Sequence, residues 1–525
     1  MALILNSLDL PHLNGDERLW VYNAMDTMVM PEIYGEIRPR LDPNTTGRIY
    51  KFEKAMLGPA LTMMRRGLKV DIPLRDAMFR TAEDLHFNLS GMRRINKKAT
   101  VVNEAAPFQR LARAAWGDVL NYNSPIAVQK VLYEHMRIPI QFKLVKGQRK
   151  VSTDRETLEK IAIDYPRCAA LVYAILQLRD QDKVLQVLDG ELSPDGRMHF
   201  GFNVAGTETG RWSSRSHVIW DAGQFQNITK DLRNIFIPDD GYVMIYPDLE
   251  QAESRAVAYI SEDEAYIKAC EGGDLHTVVA KMTWPGLEWT DDIAADKKAV
   301  AEQLFYRQFT YRDMAKRGGH GSNYYGMART MARHLKVEEK VMHRFQASYL
   351  GGELKKDDIE RWGYYDLLKA PGTHVDGGIV RLDGAFPGIR RWHERTIQRI
   401  QTDGELTTAL GRKRTFYGRG NDPSTWREAI AFEPQSLIGE VMNLGLFRTW
   451  KKHDPQDCML LGQVHDAVVG QVPEDTAHKS LPEIVKTLTV PIEVHGRTMT
   501  IPIEMQVGRN WKDMQKVKDP SSWTL

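Results

Sequence analysis

The chain has 525 residues, 42% hydrophobic and 27% charged, which is typical of a globular protein with several domains. Its 71 Lys and Arg nearly balance its 69 Asp and Glu, so the net charge of +2 argues neither for nor against nucleic acid. It has no apolar run of bilayer length and no signal-peptide pattern, and its three cysteines lie far apart. We therefore expect no membrane span, no disulfide framework and no cysteine metal site, and a cytoplasmic location.

Helical patterns dominate the first part of the chain. The apolar spacing predicts one helix over 16–40 and long helices over 46–100, the first of them broken by Gly67. Residues 101–150 read as irregular around the turn signal NYNSP. Helix follows again over 155–189, with Asp154 or Thr153 as its cap.

Short β-like runs appear beyond residue 190. The predicted elements, in chain order, are a buried strand YVMIY (242–246), helices over 249–350, a helix over 387–402, a mixed stretch over 406–417, a long helix over 427–452, strands CMLLGQV (458–464) and AVVGQV (467–472), and a strand in MTIPIEMQV (499–507). This order predicts an α+β fold with one sheet assembled from distant segments.

Two aspartates bordered by apolar β-like runs are the candidate catalytic residues. Asp248 follows YVMIY, and Asp466 separates the two later strands. Taken singly, Asp248 with Gln251 three residues on is read as a capping box, and Asp466 as a turn aspartate. As a pair they could meet on adjacent strands, where two carboxylates attract Mg²⁺. Two ions about 4 Å apart would stabilise the attacking and leaving oxygens of a phosphoryl transfer.

A cationic stripe occupies YRDMAKRGGHGSNYYG (311–326). Arg312, Lys316, His320 and Tyr324 recur every four residues and therefore share one face of a predicted helix. A solvated basic face is the ordinary interpretation. Because Arg and Lys four residues apart repel each other, the presence of both on this face is better explained if a triphosphate binds there.

The same stretch contains three glycines, Gly318, Gly319 and Gly321. Each costs about 1 kcal/mol in a helix interior. They predict a close approach of another backbone or of a base, or a hinge.

These segments resemble family A DNA polymerases, the DNA polymerase I class, over nearly the whole chain. Three motifs appear in the family's order: DLEQAESR (248–255), the Arg312-to-Tyr324 stripe, and QVHDA (463–467). The flanking stretches agree: TGRWSS (209–214), FQNI (225–228), GGDLHT (272–277), FPGIRRWHERT (386–396), LGRKR (410–414) and IPIEMQVGRNW (501–511).

The resemblance implies a right-hand fold, with an antiparallel palm sheet, helical fingers and a helical thumb. The implied divisions are an exonuclease-domain remnant over 1–45, the thumb over 46–195, the palm over 196–255 and 401–525, and the fingers over 256–400.

The resemblance also implies the roles at the nucleotide. Asp248 and Asp466 would hold two Mg²⁺ ions, with Mn²⁺ as an alternative. The remaining nucleotide-binding residues would be Arg312, Lys316 and His276 at the triphosphate, Tyr324 at the template base, Glu253 against a 2′-hydroxyl, and His320 and Gln251 beside them.

Primer-template DNA and dNTPs are the implied partners. Arg211, Asn227, Gln435 and His465 would contact the DNA near the primer terminus. The minor groove offers such contacts with little sequence choice.

Several positions depart from the family pattern. His320 stands where the family has Phe or Tyr, which leaves discrimination against dideoxy nucleotides open. Leu249 and Glu250 replace Tyr-Ser, and Ala467 replaces the Glu that usually follows the metal aspartate. The stretch EPQS (433–436), which supplies Gln435, looks one residue short.

Tyr22 and Asp26, in VYNAMDTMVM (21–30), resemble the last motif of the family's 3′–5′ exonuclease domain. The earlier motifs have no room upstream, so we expect no proofreading by this chain alone and a structural role for Asp26. The alternative is that a separate exonuclease subunit docks here; a processivity subunit is a further candidate partner.

Two other functions remain open. A single-subunit RNA polymerase shares the palm, although Glu253 would crowd a 2′-hydroxyl. A degenerate polymerase kept as a DNA-binding scaffold would not require both aspartates and the Arg312/Lys316 pair. The stretch TYRDMAK (310–316) looks more like phage members of the family, which suggests a phage polymerase acting in the host cytoplasm.

Overall fold

The computed structural model describes residues 15–95, 98–145, 148–369 and 372–522. The N-terminal part confirms the predicted helices: Gly67, at φ 64°, ends the second one, and Asp71 caps the third through the Leu74 nitrogen. The elements are α1 (Gly15–Ile37), α2 (Thr46–Arg66), β1 (Leu68–Lys69) and α3 (Ile72–Ser90).

The prediction for the next stretch was wrong at two places. Gly91, at φ 68°, ends α3, and a β-hairpin follows it instead of more helix. The stretch 101–150 also contains regular structure, because Pro107 preorganises a helical first turn and Phe108 and Ala112 bury one face. The elements are β2 (Met92–Ile95), β3 (Lys98–Val101), α4 (Pro107–Trp116), α5 (Pro125–Gln129), a π-helical segment Lys130–His135, β4 (Phe142–Val145) and β5 (Gln148–Val151).

Two helices complete this region as predicted. The Asp154 side chain, rather than Thr153, accepts the capping hydrogen bond from the Thr157 nitrogen. The elements are α6 (Arg155–Asp164), a 3₁₀ segment Pro166–Cys168 and α7 (Ala169–Leu188). Their apolar faces pack with α4 and α5 into a hydrophobic core of their own, between residues 92 and 178.

The chain then enters the central sheet and a run of helices. The elements are β6 (Arg197–Met198), β7 (Phe200–Asn203), β8 (Ser213–Ser216), 3₁₀ segments Phe225–Asn227 and Lys230–Ile235, β9 (Tyr242–Leu249), α8 (Ala252–Ser261), α9 (Glu264–Glu271), α10 (Leu275–Thr283), α11 (Ile293–Asp296), a π-helical segment Lys297–Ala301, β10 (Leu304–Tyr306), β11 (Phe309–Thr310), α12 (Tyr311–Asn323), α13 (Ala328–Leu335) and α14 (Glu339–Leu350). The stretch predicted as helical is therefore interrupted by one short hairpin, β10–β11.

The remaining elements return the chain to the sheet. They are β12 (Gly352–Lys355), α15 (Lys356–Trp362), a 3₁₀ segment Tyr365–Lys369, β13 (Thr373–Asp376), β14 (Ile379–Leu382), α16 (Pro387–Thr402), β15 (Glu405–Thr407), β16 (Lys413–Thr415), α17 (Pro423–His453), β17 (Met459–Val464), β18 (Ala467–Pro473), α18 (Ala477–Leu488), β19 (Ile492–Val494), β20 (Arg497–Met499), β21 (Ile503–Gly508), β22 (Met514–Val517) and a 3₁₀ segment Pro520–Ser522.

The central sheet has five antiparallel strands in the order β17-β18-β9-β21-β22. Its strands come from positions up to more than 250 residues apart, as predicted for one sheet assembled from distant segments. The largest hydrophobic core joins this sheet to α2, α8 and α17 and extends to the aromatic residues of α14. The edge of this sheet where β9 ends therefore has rigid support.

No single helix in the described part of the chain is long and apolar enough to cross a bilayer. One pair of segments, Arg155–Asp164 and Pro166–Leu188, reaches the length and composition together, but it is bent by 118°.

Candidate active site

The sheet places Asp248 and Asp466 side by side. Asp248 lies directly opposite Ala467 in the β9–β18 pair, so Asp466 is one residue further along the neighbouring strand. The Leu249 nitrogen also donates a hydrogen bond to the Asp466 carbonyl oxygen at 3.1 Å. The two aspartates therefore meet on adjacent strands, as their sequence context predicts.

The capping interpretation of Asp248 was wrong. Asp248 lies inside β9, and α8 begins only at Ala252. Gln251 precedes that helix at φ 54° and makes no capping hydrogen bond with its side chain. Asp466, in contrast, occupies the two-residue turn between β17 and β18 together with His465, which has a φ of 55°. A positive φ is uncommon for a non-glycine residue, so the turn holds the Asp466 backbone in a fixed, slightly strained place.

The electrostatics of this edge favour a bound cation. Burial, followed by the charges of Asp466 and Glu504, raises the pKa of Asp248 to about 7. Burial also raises the pKa of Asp466. Two carboxylates that resist ionisation when alone are stabilised by a divalent cation, and Mg²⁺ prefers such oxygen ligands.

Among the residues that the structure describes, no group of three or more His, Cys, Asp or Glu side chains forms a metal cage. Asp248 and Asp466 would supply two carboxylates, and Mg²⁺ commonly takes its remaining ligands from water and substrate phosphates. The donor set therefore fits an open site rather than a closed structural one.

Glu504 is a nearby carboxylate that the sequence analysis missed. It lies directly opposite Asp248 in the β9–β21 pair, so the two side chains leave the same face of the sheet. Its carboxylate accepts hydrogen bonds from Lys516 and from Gln506. The alternation in MTIPIEMQV could have placed Glu504 on a face, but only the strand register reveals its partner.

Helix α12 presents the cationic stripe. Its capping box, built by Thr310 and Asp313, fixes the first turn. Arg312 donates two hydrogen bonds to the carboxylate of Asp274, at 2.8 and 2.7 Å. Burial raises the pKa of Asp274, but hydrogen bonds from Arg312 and Thr277 outweigh it and hold that pKa well below its usual range.

Lys316 lies one turn beyond Arg312 and is exposed. It has no hydrogen bond or ion pair with any described residue. His276, at the start of α10, lies close to both cations: burial first, then the charges of Arg312 and Lys316, lowers the pKa of its imidazole to about 4. The two cations therefore add to the effect of burial, and a bound anion would offset their part of the shift.

Further along α12, His320 faces α8. Its Nδ1 lies 3.0 Å from a carboxylate oxygen of Glu253, and an Arg211 guanidinium nitrogen lies 3.6 Å from the other oxygen. The Tyr324 ring centroid is 5.2 Å from that of His320. Burial and the Glu253 charge raise the pKa of Tyr324.

The stripe therefore continues for four positions as predicted, although Tyr324 follows the last residue of the helix.

The sequence matches the profile of DNA polymerase family A over residues 94–352 and 374–513. This chain belongs to DNA polymerase family A.

Curated relatives of this family A chain support the assignment. A thermostable DNA polymerase I of Thermus filiformis is 26% identical over 507 residues, which cover 94% of this chain and 51% of that protein. DNA polymerase I of Caldicellulosiruptor bescii is 23% identical, covering 93% of this chain and 50% of that protein. The chain thus spans about half the length of these relatives.

A solved structure shares the fold. It is described as the POL domain of Pol1 from M. smegmatis in complex with DNA primer-template and dNTP. The TM-score is 0.61 at 20% sequence identity, and the match covers 88% of this chain and 70% of that chain. The α+β polymerase fold predicted from the sequence is therefore confirmed.

Three of the four residues predicted to contact DNA lie on α17, beside it or at the β17–β18 turn. Arg211 packs against α17, where a Cβ at Gly439 would lie 3.0 Å from the Arg211 Cγ. Gln435 is half-buried one turn earlier on the same helix, and His465 is exposed at the hairpin turn. Of these three residues, Arg211 and His465 lie close enough to Asp466 for their charges to lower its pKa against the effect of burial.

Asn227 is also exposed, but its amide donates to Gln224 at 2.6 Å. Gln226 reaches the aspartate hairpin instead: its amide donates to the Gln463 side-chain oxygen at 3.1 Å. The FQNI stretch therefore supports the site through a residue that the sequence analysis did not select.

Two of the three glycines of α12 permit a close approach within the protein. A Cβ at Gly318 would lie 2.7 Å from the Phe345 ring, and one at Gly321 would lie 2.6 Å from Met331. The close neighbours are thus side chains of α13 and α14, where another backbone was one of the predicted alternatives; a base or a hinge stays a prediction. Gly319 has only ordinary contacts, at 3.4 Å or more, with Tyr349.

Tyr22 and Asp26 lie on α1. Their side chains are outside the described residues, so the exonuclease motif stays a prediction. The family profile does not include this helix.

Proposed function

We propose that this chain is a template-directed DNA polymerase that adds deoxyribonucleotides to a primer 3′ end. The observation that carries the proposal is the meeting of Asp248 and Asp466 at one edge of the sheet. The helix with Arg312 and Lys316 contacts α8, the helix that follows β9, through His320 and Glu253, which would bring its cations towards a triphosphate held near the aspartates. Phosphoryl transfer depends mainly on positioning and charge neutralisation, and these residues would supply both.

Asp248 and Asp466 would hold two divalent ions, Mg²⁺ or alternatively Mn²⁺. When bound, the ions polarise the reacting phosphate and stabilise charge on the attacking and leaving oxygens. The aspartates keep these charges at the end of β9, where the primer terminus would enter. The hairpin that carries Asp466 would help to maintain the separation of the two carboxylates.

Arg312, Lys316 and His276 would bind the triphosphate. Arg312 is already oriented by Asp274, so its guanidinium loses little freedom when an anion arrives. Lys316 is exposed and offers a point charge. The phosphates would offset the charges of Arg312 and Lys316, so the pKa of His276 would rise and its imidazole could bind a proton. Gln251, beside the Asp248 strand end, would complete the nucleotide contacts.

The sugar and base would lie further along the same helix. Glu253 and His320 would face the sugar and exclude a 2′-hydroxyl, and Tyr324 would stack at the template base. Arg211, Gln435 and His465 would contact primer-template DNA close to the aspartates, with Asn227 at the outer margin.

In this proposal the palm comprises 196–255 and 401–525, the fingers 256–400 and the thumb 46–195. The separate hydrophobic core between residues 92 and 178 supports an independent unit within this thumb, whereas α2 packs with the central sheet.

A primer-extension assay tests the proposal. The protein would be given a labelled primer on templates of four different next bases, with Mg²⁺ and one dNTP at a time. We expect addition only of the complementary nucleotide. Addition regardless of template, or no addition, would refute the proposed activity.

The same assay separates the two competing functions. Equal use of rNTPs and dNTPs would favour an RNA polymerase and remove the role given to Glu253. Tight duplex binding without any extension would favour a DNA-binding scaffold.

Further proposals rest on resemblance alone. They are a phage niche in the host cytoplasm and a separate exonuclease or processivity subunit as partner.

A further inference from the structure

One ion pair lies on the path that the proposed nucleotide would follow. His320 of α12 and Glu253 of α8 approach within 3.0 Å, and their side chains retain 59% and 31% of their exposure. The pair is therefore partly exposed rather than enclosed in the core. A bound substrate could touch both members.

The titratable neighbours of the pair lie on two other segments and one turn further along from His320. Arg211 lies 3.6 Å from Glu253. The charge of Glu253 contributes to the raised pKa of Asp466, in the hairpin turn, and to that of Tyr324, whose ring centroid lies 5.2 Å from that of His320. Glu253 thus has two cationic neighbours, and His320 is the more exposed of the two.

The pair shifts the pKa of each member towards its charged form. The hydrogen bond and the charge of Glu253 raise the pKa of His320. Burial raises the pKa of Glu253, but His320, followed by Arg211, outweighs it and leaves that pKa lowered. Each partner therefore stabilises the charged form of the other.

The spacing along α12 indicates which part of the nucleotide meets the pair. A helix rises about 1.5 Å per residue, so positions four apart are separated by about 6 Å. With phosphates at Arg312 and Lys316, the sugar falls at the level of His320 and the base at the level of Tyr324. This step rests on the proposed function.

We propose that His320 is a positioning residue that holds the Glu253 carboxylate against the sugar, so that exclusion of ribonucleotides depends on the protonation of His320. Below the raised pKa of His320 the ion pair is intact and the carboxylate is fixed beside the 2′ carbon. As pH rises through that pKa, the charge of His320 is lost and Glu253 turns to Arg211. Discrimination against ribonucleotides then weakens.

The test compares kcat/KM for a single rNTP and the matching dNTP from pH 6 to pH 9.5, at fixed Mg²⁺ and ionic strength. The ratio of the two cancels every pH effect common to both sugars. For the wild type we expect discrimination to fall about tenfold as pH rises, the loss expected for one charge-assisted hydrogen bond. For His320→Gln we expect weak discrimination that does not change with pH.

A second His–Glu pair provides a matched control. His343 lies 3.4 Å from Glu339 on the surface of α14. His343→Gln should leave the wild-type pH profile of discrimination unchanged. If it flattens the profile as His320→Gln does, the effect is not local and the proposal falls.

The ring titration of His320, followed by NMR and assigned with His320→Gln, checks the pair without turnover. Glu253→Gln should lower the pKa of that ring, and an unchanged pKa would overturn the proposal. Vigorous dNTP addition with a pH-independent sugar ratio would overturn this inference and leave the proposed function standing. No dNTP addition at any pH would defeat the proposed function, and this inference with it.

Discussion

Asp248 and Glu504 are direct cross-strand partners in the central sheet, so their side chains leave the same face. With Asp466 in the turn just before the other neighbouring strand, Asp248 has an acidic residue on each side. Burial and these two charges raise its pKa to about 7. Ionising Asp248 here therefore costs stability, which a bound cation would offset, and functional sites often carry such a cost.

Neutralising Asp248 should stabilise the metal-free protein. A raised folded-state pKa means that stability is lost as pH rises from the unfolded value near 4 to about 7 and stays lost above it. We therefore expect Asp248→Asn to gain roughly 1–3 kcal/mol at pH 8 in EDTA and almost nothing near pH 4. Urea titrations at both pH values measure this, and a loss of stability at pH 8 would contradict the stated electrostatics.

Nucleotide binding should take up a proton at His276. Burial and two neighbouring cations hold the pKa of its imidazole at about 4, and a triphosphate would offset those cations. Affinity for a dNTP, measured by calorimetry, should then increase as pH falls from 8 to 6. His276→Gln should remove the part of this dependence that exceeds the titration of the phosphate itself; an unchanged slope would place the triphosphate elsewhere.

Removing the Lys316 charge should weaken nucleotide binding without weakening the fold. Lys316 is exposed, and the described residues offer it no ion pair. We expect Lys316→Ala to raise the KM for dNTPs about tenfold or more, since it removes a charge from an anion site. The matched control is Arg317→Ala, because Arg317 lies over the Phe309 ring instead. Equal effects of the two substitutions would contradict a specific site.

Two adjacent glycines of α12 should respond oppositely to alanine. At Gly318 the new Cβ would lie 2.7 Å from the buried Phe345 ring, so overpacking should cost about 1–3 kcal/mol. At Gly319 the nearest atom is the Tyr349 hydroxyl at 3.4 Å, so helix propensity should prevail and the change should be neutral or stabilising. Thermal unfolding of both variants decides this, and comparable destabilisation would show that α12 needs flexible glycines.

The meeting of Asp248 and Asp466 could be predicted because the sequence signals for their strands are local. Apolar runs before Asp248 and on both sides of Asp466 identify strand ends, and buried strands tolerate few other arrangements. The helix over Pro387–Thr402 was predicted to the residue for the same reason. Its apolar spacing and N-terminal proline are contained within one segment.

The missed features depend on tertiary contacts. Asp274 precedes α10 as an ordinary cap, and nothing local indicates that it binds Arg312 from 38 residues away. The register that pairs Glu504 with Asp248 is set by the whole sheet. Gly318 shows the same limit, because its neighbour Phe345 lies on another helix.

The most direct test of the account is metal-dependent primer extension by Asp466→Asn. Asp240→Asn serves as the control, because Asp240 is a fully exposed aspartate just before β9, at the opposite end from Asp248. We expect Asp466→Asn to lose extension by about a thousandfold or more while it still binds duplex DNA and remains folded, and Asp240→Asn to extend like the wild type. Undiminished extension by Asp466→Asn would contradict the claim that these two aspartates form the catalytic metal site.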